Sequence, residues 1–595
     1  MMRFIFFISF LILAGLQLFG QSEQLARNFY DQGEYEKALN IYEKLHEKNP
    51  ANPIIFNAMV STHQQLENFD IAEKLLMERL NSSANNPTIL IELGHNFEVQ
   101  EKKQRAVQFY EEALKSLEGR PNYAYGIARS FEQYNLLDYA AKAYERAMEM
   151  SPDKNYNLQL AKIYGEQGQV EKMFGNYLNL IEDDMKFYGI ANREFSRYIS
   201  DDPGNEANII FRKLLLKRLQ ENPSVLYNQM LSWLFVQQND FDKAFAQERA
   251  VYKRGESDLQ GLLNLAVMAK NAKAYEDAEE IIAYTIEESP SRTFNLQARH
   301  FLLNLELETV EKQHLKKVKE GFKTLLAEYG YGPETIDVQI DYANLLAFRL
   351  KKEQEAVVIL KNTAETTSSN FELAKVKMAL ADILVIEEKF NEALIYYSQI
   401  QNLVKNDEIS QDARFKVAKT SYYKGDFKWA KTQLDILKKS TSQLIANDAM
   451  ELSLLIQDNS LEDTTQAALK AYARADLLAF QEKNGEAILA LEDVIASYSG
   501  QKIEDEALYS QAKLFEKEKN FKEAESNYLQ IIAAFGQEIL ADNANYFLAE
   551  LYANQLNEPE KAKNYYEQII FNFADSIYFT DARKKFRSLR GDTLE

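Results

Sequence analysis

TILIELGHNFEVQEKKQRAVQFYEEAL, residues 88–114, decides the fold. Leu90, Leu93, Gly94 and Phe97 recur at helical spacing, and so do Ala106, Tyr110 and Ala113 after the polar break at 100–105. Two short amphipathic helices joined by a turn satisfy that pattern. Gly94 lets the first helix approach the second, Phe97 fills the space between them, and Ala106 marks their closest crossing. The same alanine returns every 34 residues, at Ala38, Ala72, Ala106 and Ala140, each followed four residues later by Tyr42, Leu76, Tyr110 or Tyr144. A hairpin of this size cannot bury its apolar face alone, so consecutive copies must stack.

These positions resemble the tetratricopeptide repeat, most specifically in residues 88–114. The first unit keeps the register with Leu25, Ala26, Phe29, Gly33, Tyr35, Ala38, Tyr42, Leu45 and Pro50. The fourth gives Ile127, Ala128, Phe131, Ala140, Tyr144, Ala147 and Pro152. The fifth places Met173 where the crossing alanine belongs but keeps Leu160, Ala161, Tyr164 and Tyr177. The second is weaker, with Val60 and His63 at signature positions. The period blurs over 186–221 and again over 294–331, returning at Ala244 and Ala278 between them. Later units centre on Ala356, Ala393, Ala430, Ala487, Ala524 and Ala562, and the wide gap before Ala487 signals an atypical unit. These longer repeats are similar to those of periplasmic and outer-membrane-assembly proteins of the Bacteroidetes.

The expected fold is therefore an all-α, right-handed superhelical solenoid of about fifteen helix-turn-helix hairpins with a C-terminal capping helix. Its expected divisions are a signal peptide at 1–20, an N-terminal array at 21–185, a divergent hairpin at 186–221, repeat-like units at 222–331, an array at 332–460, and long-helix units with the cap at 461–595. Scarce glycine (21) and proline (10) in 595 residues suit long helical stretches.

Met1-Met2-Arg3 followed by the apolar run from Phe4 to Phe19 reads as a secretory signal, too short for a membrane span and ending near the small Gly20. The expectation is an exported, periplasmic chain without stable membrane insertion after cleavage, held near the outer membrane by a partner. Asp463-Thr464-Thr465, Asp575-Ser576-Ile577 and Asp592-Thr593-Leu594 resemble the O-glycosylation acceptor of exported Bacteroidetes proteins. With no cysteine, disulfides, thiolate ligands and lipidation of an N-terminal cysteine are excluded. The formal charge of −21 argues against nucleic acid, because phosphates would be repelled.

The five histidines, His46, His63, His95, His300 and His314, contain no pair at metal-binding spacing. Nucleophile elbows and phosphate-cradling glycine loops are absent too, so neither catalysis nor a cofactor is expected. Acid pairs such as Asp183-Asp184 and Asp201-Asp202 read as solvated helix ends and turns.

The resemblance implies that a concave wall is lined by the first helix of each hairpin. Counting from the small residue of that helix, it nominates Arg27, Tyr30, Asn57, Gln64, Ile91, His95, Glu98, Tyr125, Arg129, Glu132, Leu158 and Lys162 as partner-binding positions. Tyr125 and Arg129, four apart, could offer a ring and a guanidinium to one ligand. The carboxylate-clamp pattern of some chaperone adaptors is not reproduced, since Arg27 and Ser61 occupy its slots. The function these features imply is a non-enzymatic protein–protein interaction scaffold of the cell envelope, serving protein partners such as an envelope assembly complex. A peptidoglycan- or glycan-associated factor is the alternative.

Overall fold

The computed structural model describes residues 22–82, 86–255, 258–309, 312–405, 407–439, 443–460 and 465–592. The expected signal peptide lies outside them. Among the described residues every regular element is helical, and the chain is an all-α solenoid of paired helices. Short connections make each pair antiparallel, as in Pro87–Glu98 with Lys103–Lys115 and Ala124–Gln133 with Leu137–Met150. Starts are marked locally. Asn52 and Asn86 accept from Ile54 N and Thr88 N, with Pro53 and Pro87 in the first turn, where a missing N–H costs nothing.

The turn inside most of the described hairpins repeats one geometry. Gly33, Glu67, Glu101, Asn135, Gly168, Asn239, Lys273, Glu388, Gly425, Glu482 and Lys519 all take positive φ there. In the third hairpin Glu101 N donates to Glu98 O and Lys102 N to Phe97 O, at 2.8 and 2.9 Å. That pair of bonds closes the first helix and reverses the chain. Only three of these positions are glycine, so most hairpins hold a side chain in a left-handed conformation that costs it energy.

Packing follows the alanine register. Ala38, Ala72, Ala106, Ala140, Ala356, Ala393, Ala430, Ala487, Ala524 and Ala562 are all buried. Opposite Ala106, Gly94 meets Tyr110 so closely that an added Cβ would lie 2.3 Å from its ring. The fifth hairpin reverses the sizes. Met173 occupies the crossing, and Gly165 faces it, where a Cβ would stand 3.2 Å from the Met173 sulfur. Tyr110, Tyr144, Tyr397, Tyr528 and Tyr566 bury their rings and donate their hydroxyls to Glu98, Glu132, Asp382, Glu516 and Glu550 on the first helix of the same hairpin. A buried phenol needs such an acceptor.

The chain forms two compact units, one reaching to Gly261 and the other beginning at Leu262. In the first, the blurred stretch contains a short helix, Tyr188–Phe195, and a long one, Glu206–Glu221. Between them the buried Asn208 amide bonds Ser200 O at 2.8 Å and Asp202 O at 2.7 Å, fixing the turn. In the second, the other blurred stretch is the hairpin Arg292–Thr309 and Leu315–Tyr329. The gap before Ala487 holds one added helix, Gln443–Asp458, rather than a hairpin. The next turn reaches back across the unit: Gln481 Nε2 donates to Ile386 O at 2.9 Å, and Lys351 Nζ donates to Gln481 O at 2.7 Å. Phe480 packs edge-on against Phe348, with ring centres 5.7 Å apart.

Two substitutions test this packing. Gly94→Ala should destabilise by about 1–3 kcal/mol, because Tyr110 cannot retreat from a filled layer; the urea midpoint of the first unit reads it. Glu101→Gly should instead stabilise by about 0.5–1 kcal/mol, since it relieves a left-handed backbone at an exposed position.

Candidate functional site

In the first unit the nominated residues separate into two groups. Arg27, Asn57, Tyr125, Arg129 and Lys162 are exposed, and Tyr125 and Arg129 make no hydrogen bond or ion pair among the described residues. Tyr30 is half-buried against Tyr35, their rings 5.3 Å apart, and burial raises its hydroxyl pKa. The remaining nominees are engaged internally. Buried Gln64 donates to Asn96 Oδ1 at 3.3 Å, and Asn96 donates to Phe69 O.

His95 stacks on Tyr134 with ring centres 3.8 Å apart, and its Nδ1 is buried without a partner. Burial lowers its pKa, against the opposing pull of Glu98. Tyr134 in turn donates to Glu92, whose carboxyl is raised by burial. Glu98 accepts from Tyr110 at 2.6 Å, and Glu132 lies 3.5 Å from the Tyr144 hydroxyl. Both carboxylates complete the tyrosine pairs of the hairpin core, an internal role that the spacing alone did not reveal. Ile91 is a correction. It is fully buried and belongs to the core, while Leu158 is partly buried.

The same count, taken from the buried small residues Ala381, Ala418, Ala475 and Ala512, lands in the second unit on Asp382, Lys419, Asp476 and Lys513. Their signs alternate. Asp382 accepts from Tyr397 at 2.5 Å and from Lys416 at 2.7 Å. Lys419 Nζ reaches Asp476 Oδ2 at 2.6 Å and stands 5.1 and 5.3 Å from the ring centres of Tyr422 and Tyr423. Lys513 lies 3.8 Å from the ring centre of Phe547. Burial would lower the Lys416 pKa, but Asp382 and Asp412 hold it above its ordinary value. The spacing count along the N-terminal hairpins ends at Lys162 and so does not reach these residues. The alanines that locate them were legible all along.

Carboxylates outnumber cations on this face. Burial raises Asp412 and Glu451, whose carboxylates make no ion pair or hydrogen bond among the described residues. Glu506 is pushed up to about 8 by burial first, then by Asp505, Glu451 and Asp458, and Asp505 to about 6 by burial. The tyrosines Tyr397, Tyr422, Tyr423 and Tyr472 are driven well above their ordinary value by burial.

Comparison with known proteins agrees with the repeat pattern. A tetratricopeptide repeat family model matches residues 472–539, and a coatomer epsilon subunit model matches residues 24–125. The TPR repeat-containing protein YpiA of Bacillus subtilis (strain 168) is 24% identical over 375 residues, covering 61% of this chain and 83% of that protein. Two solved structures align at 12% identity. A Naa15/Naa10 complex bound to HypK-THB covers 96% of each chain with a TM-score of 0.26, and an APC/C hetero-tetramer Cut9-Hcn1 covers 95% of each with a TM-score of 0.24. The family match and the relative support a chain built of tetratricopeptide repeats.

Glu506 makes stability depend on pH. The folded chain holds this proton until about pH 8, whereas the unfolded chain releases it near the ordinary value of 4.5. Its favourable contribution is therefore complete below the lower value and is lost as pH rises through the upper one. Glu506→Gln should raise the melting temperature over wild type by an amount that grows from pH 5 to pH 9, a trend that thermal unfolding across that range will show.

Proposed function

We propose that this chain is an exported, non-enzymatic scaffold of the cell envelope that binds a polypeptide partner along the first-helix faces of its repeats. The observation that carries this reading is the set of exposed side chains on the first helices of the first, second, fourth and fifth hairpins: Arg27, Asn57, Tyr125, Arg129 and Lys162. Stacked hairpins present such a row at fixed intervals, so an extended segment can make many weak contacts at once. Export rests on the charged start and apolar run of residues 1–19. No helix among the described residues is long and apolar enough to cross a membrane.

A glycan-associated role is favoured by one feature of the second unit. A cleft of ≈ 850 Å³ is lined by Gln537, Asn545, Asn564, Gln568 and Asn572 beside Tyr565 and Phe573. Amides and ring faces suit sugar hydroxyls and sugar faces, and the Asn545 Oδ1 is buried without a partner. Sedimentation with purified sacculi separates the readings: co-pelleting favours the glycan, and a clean supernatant favours the scaffold.

A photo-cross-linking residue in place of Tyr125 should capture a discrete polypeptide from envelope extract, in a salt-sensitive way. The same residue in place of the exposed Glu149 on the second helix should not. Identical products from both positions would remove the case for a first-helix binding face.

A further inference from the structure

The two hairpins that precede the C-terminal helix Phe579–Arg590 share one register. Ile503–Lys517 pairs with Phe521–Ala534, and Ala541–Asn554 with Pro559–Asn572. Counted from the buried alanines Ala512 and Ala549 of the first helices, Leu508 corresponds to Asn545 and Gln511 to Leu548. Counted from Ala524 and Ala562 of the second helices, Asn527 corresponds to Tyr565. In the earlier hairpin the amides satisfy one another. Asn527 Nδ2 donates to Gln511 Oε1 at 2.8 Å and to Leu508 O at 3.2 Å, and Gln511 Nε2 donates to Ile488 O at 3.0 Å. In the last hairpin that exchange is broken. Asn545, only 3% exposed, donates its Nδ2 to Ala541 O at 2.7 Å, but its Oδ1 has no partner, and Tyr565 stands at the position of the missing donor amide. An unmade bond at a buried oxygen is costly unless a ligand supplies the donor.

Asn545 also lines the cleft of ≈ 850 Å³ between the second helices Phe521–Ala534 and Pro559–Asn572, a volume within the roughly 300–1,000 Å³ of small-ligand sites. The walls of this cleft are held in place. Gly536 has to be glycine, because a Cβ there would stand 2.6 Å from Ile532 O. Tyr552 stacks on Tyr565 with ring centres 5.7 Å apart, which fixes the Tyr565 ring. Asn572 Nδ2 donates to Gln568 Oε1 at 2.7 Å, so the Gln568 amino group and the Asn572 carbonyl oxygen are left over. In a chain of formal charge −21, no acidic or basic residue lines the cleft among the described residues.

Resting on the glycan-associated reading above, we infer that this cleft seats an uncharged pyranose ring of a saccharide. One sugar hydroxyl donates to Asn545 Oδ1 at the floor, the amides of Asn564, Gln568 and Asn572 meet hydroxyls at the rim, and the apolar C–H face of the sugar lies against Tyr565. A pyranose is an apolar plate edged by hydroxyls, and a side-chain amide both donates and accepts, so each amide can meet a hydroxyl in whichever sense that hydroxyl requires. A polypeptide is the weaker fit, since the cleft lies between second helices and holds no charge to fix its side chains.

Saturation-transfer NMR of the full chain tests this with two neutral trisaccharides, chitotriose and maltotriose, and with trigalacturonate and pentaglycine as charged and peptide controls. At least one neutral trisaccharide should bind roughly tenfold or more tightly than either control. Asn564→Ala with Gln568→Ala, both exposed and therefore nearly neutral for the fold, should weaken that saccharide by roughly tenfold or more. Asn545→Leu, which installs the residue of the earlier hairpin, should weaken it while leaving the melting temperature equal or higher, because it removes an unpaired acceptor. Binding of neither neutral saccharide, unchanged affinity in the double variant, or equal binding of either control would each overturn the assignment. If the saccharides fail while the chain still pellets with sacculi, this seat is wrong and the glycan-associated reading stands. Failure of both removes that reading and leaves the polypeptide scaffold.

Discussion

Close approach of two helices at a residue with almost no side chain is the constraint on which this molecule depends. At Ala106 and Gly94 the backbones come near enough for Tyr110 to occupy the remaining space, and even one methyl would collide with it. Because many hairpins place a small residue at that crossing, the helix faces left over are also repeated, and any surface they form is periodic. Met173 and Gly165 show that the constraint concerns combined volume. When one side of the crossing grows, the other shrinks.

The buried tyrosine that follows several of these crossings has a second effect. Its ring belongs to the core, but its hydroxyl must find an acceptor, and the first helix supplies a carboxylate. Much of the acidity on the first-helix face is thus structural. Glu98 and Glu132 are held by tyrosines, whereas Glu451 and Glu506 have no such tie.

Irregularity shapes the second unit as much as repetition does. One unpaired helix, Gln443–Asp458, breaks the alternation of first and second helices, and the following Gln481 turn bonds back to Ile386 and Lys351. Burial raises the carboxyls of Glu506 and Asp412 on the helices Ile503–Lys517 and Glu408–Tyr423.

The 34-residue recurrence of alanine, with an aromatic or leucine four residues later, determined by itself that the chain pairs helices and stacks the pairs, because those residue sizes permit no other close packing. It also placed the exposed Tyr125 and Arg129 on a first-helix face. The left-handed turns were less legible, since Glu67, Glu101 and Lys273 take a conformation that composition assigns to glycine; the stacked layers hold them there. Only the tertiary structure decided that Glu98 serves Tyr110, that Ile91 is core, and that Tyr422 lacks a partner. Each of those facts depends on what a neighbouring helix brings into reach, a distance that no spacing along one strand of sequence encodes.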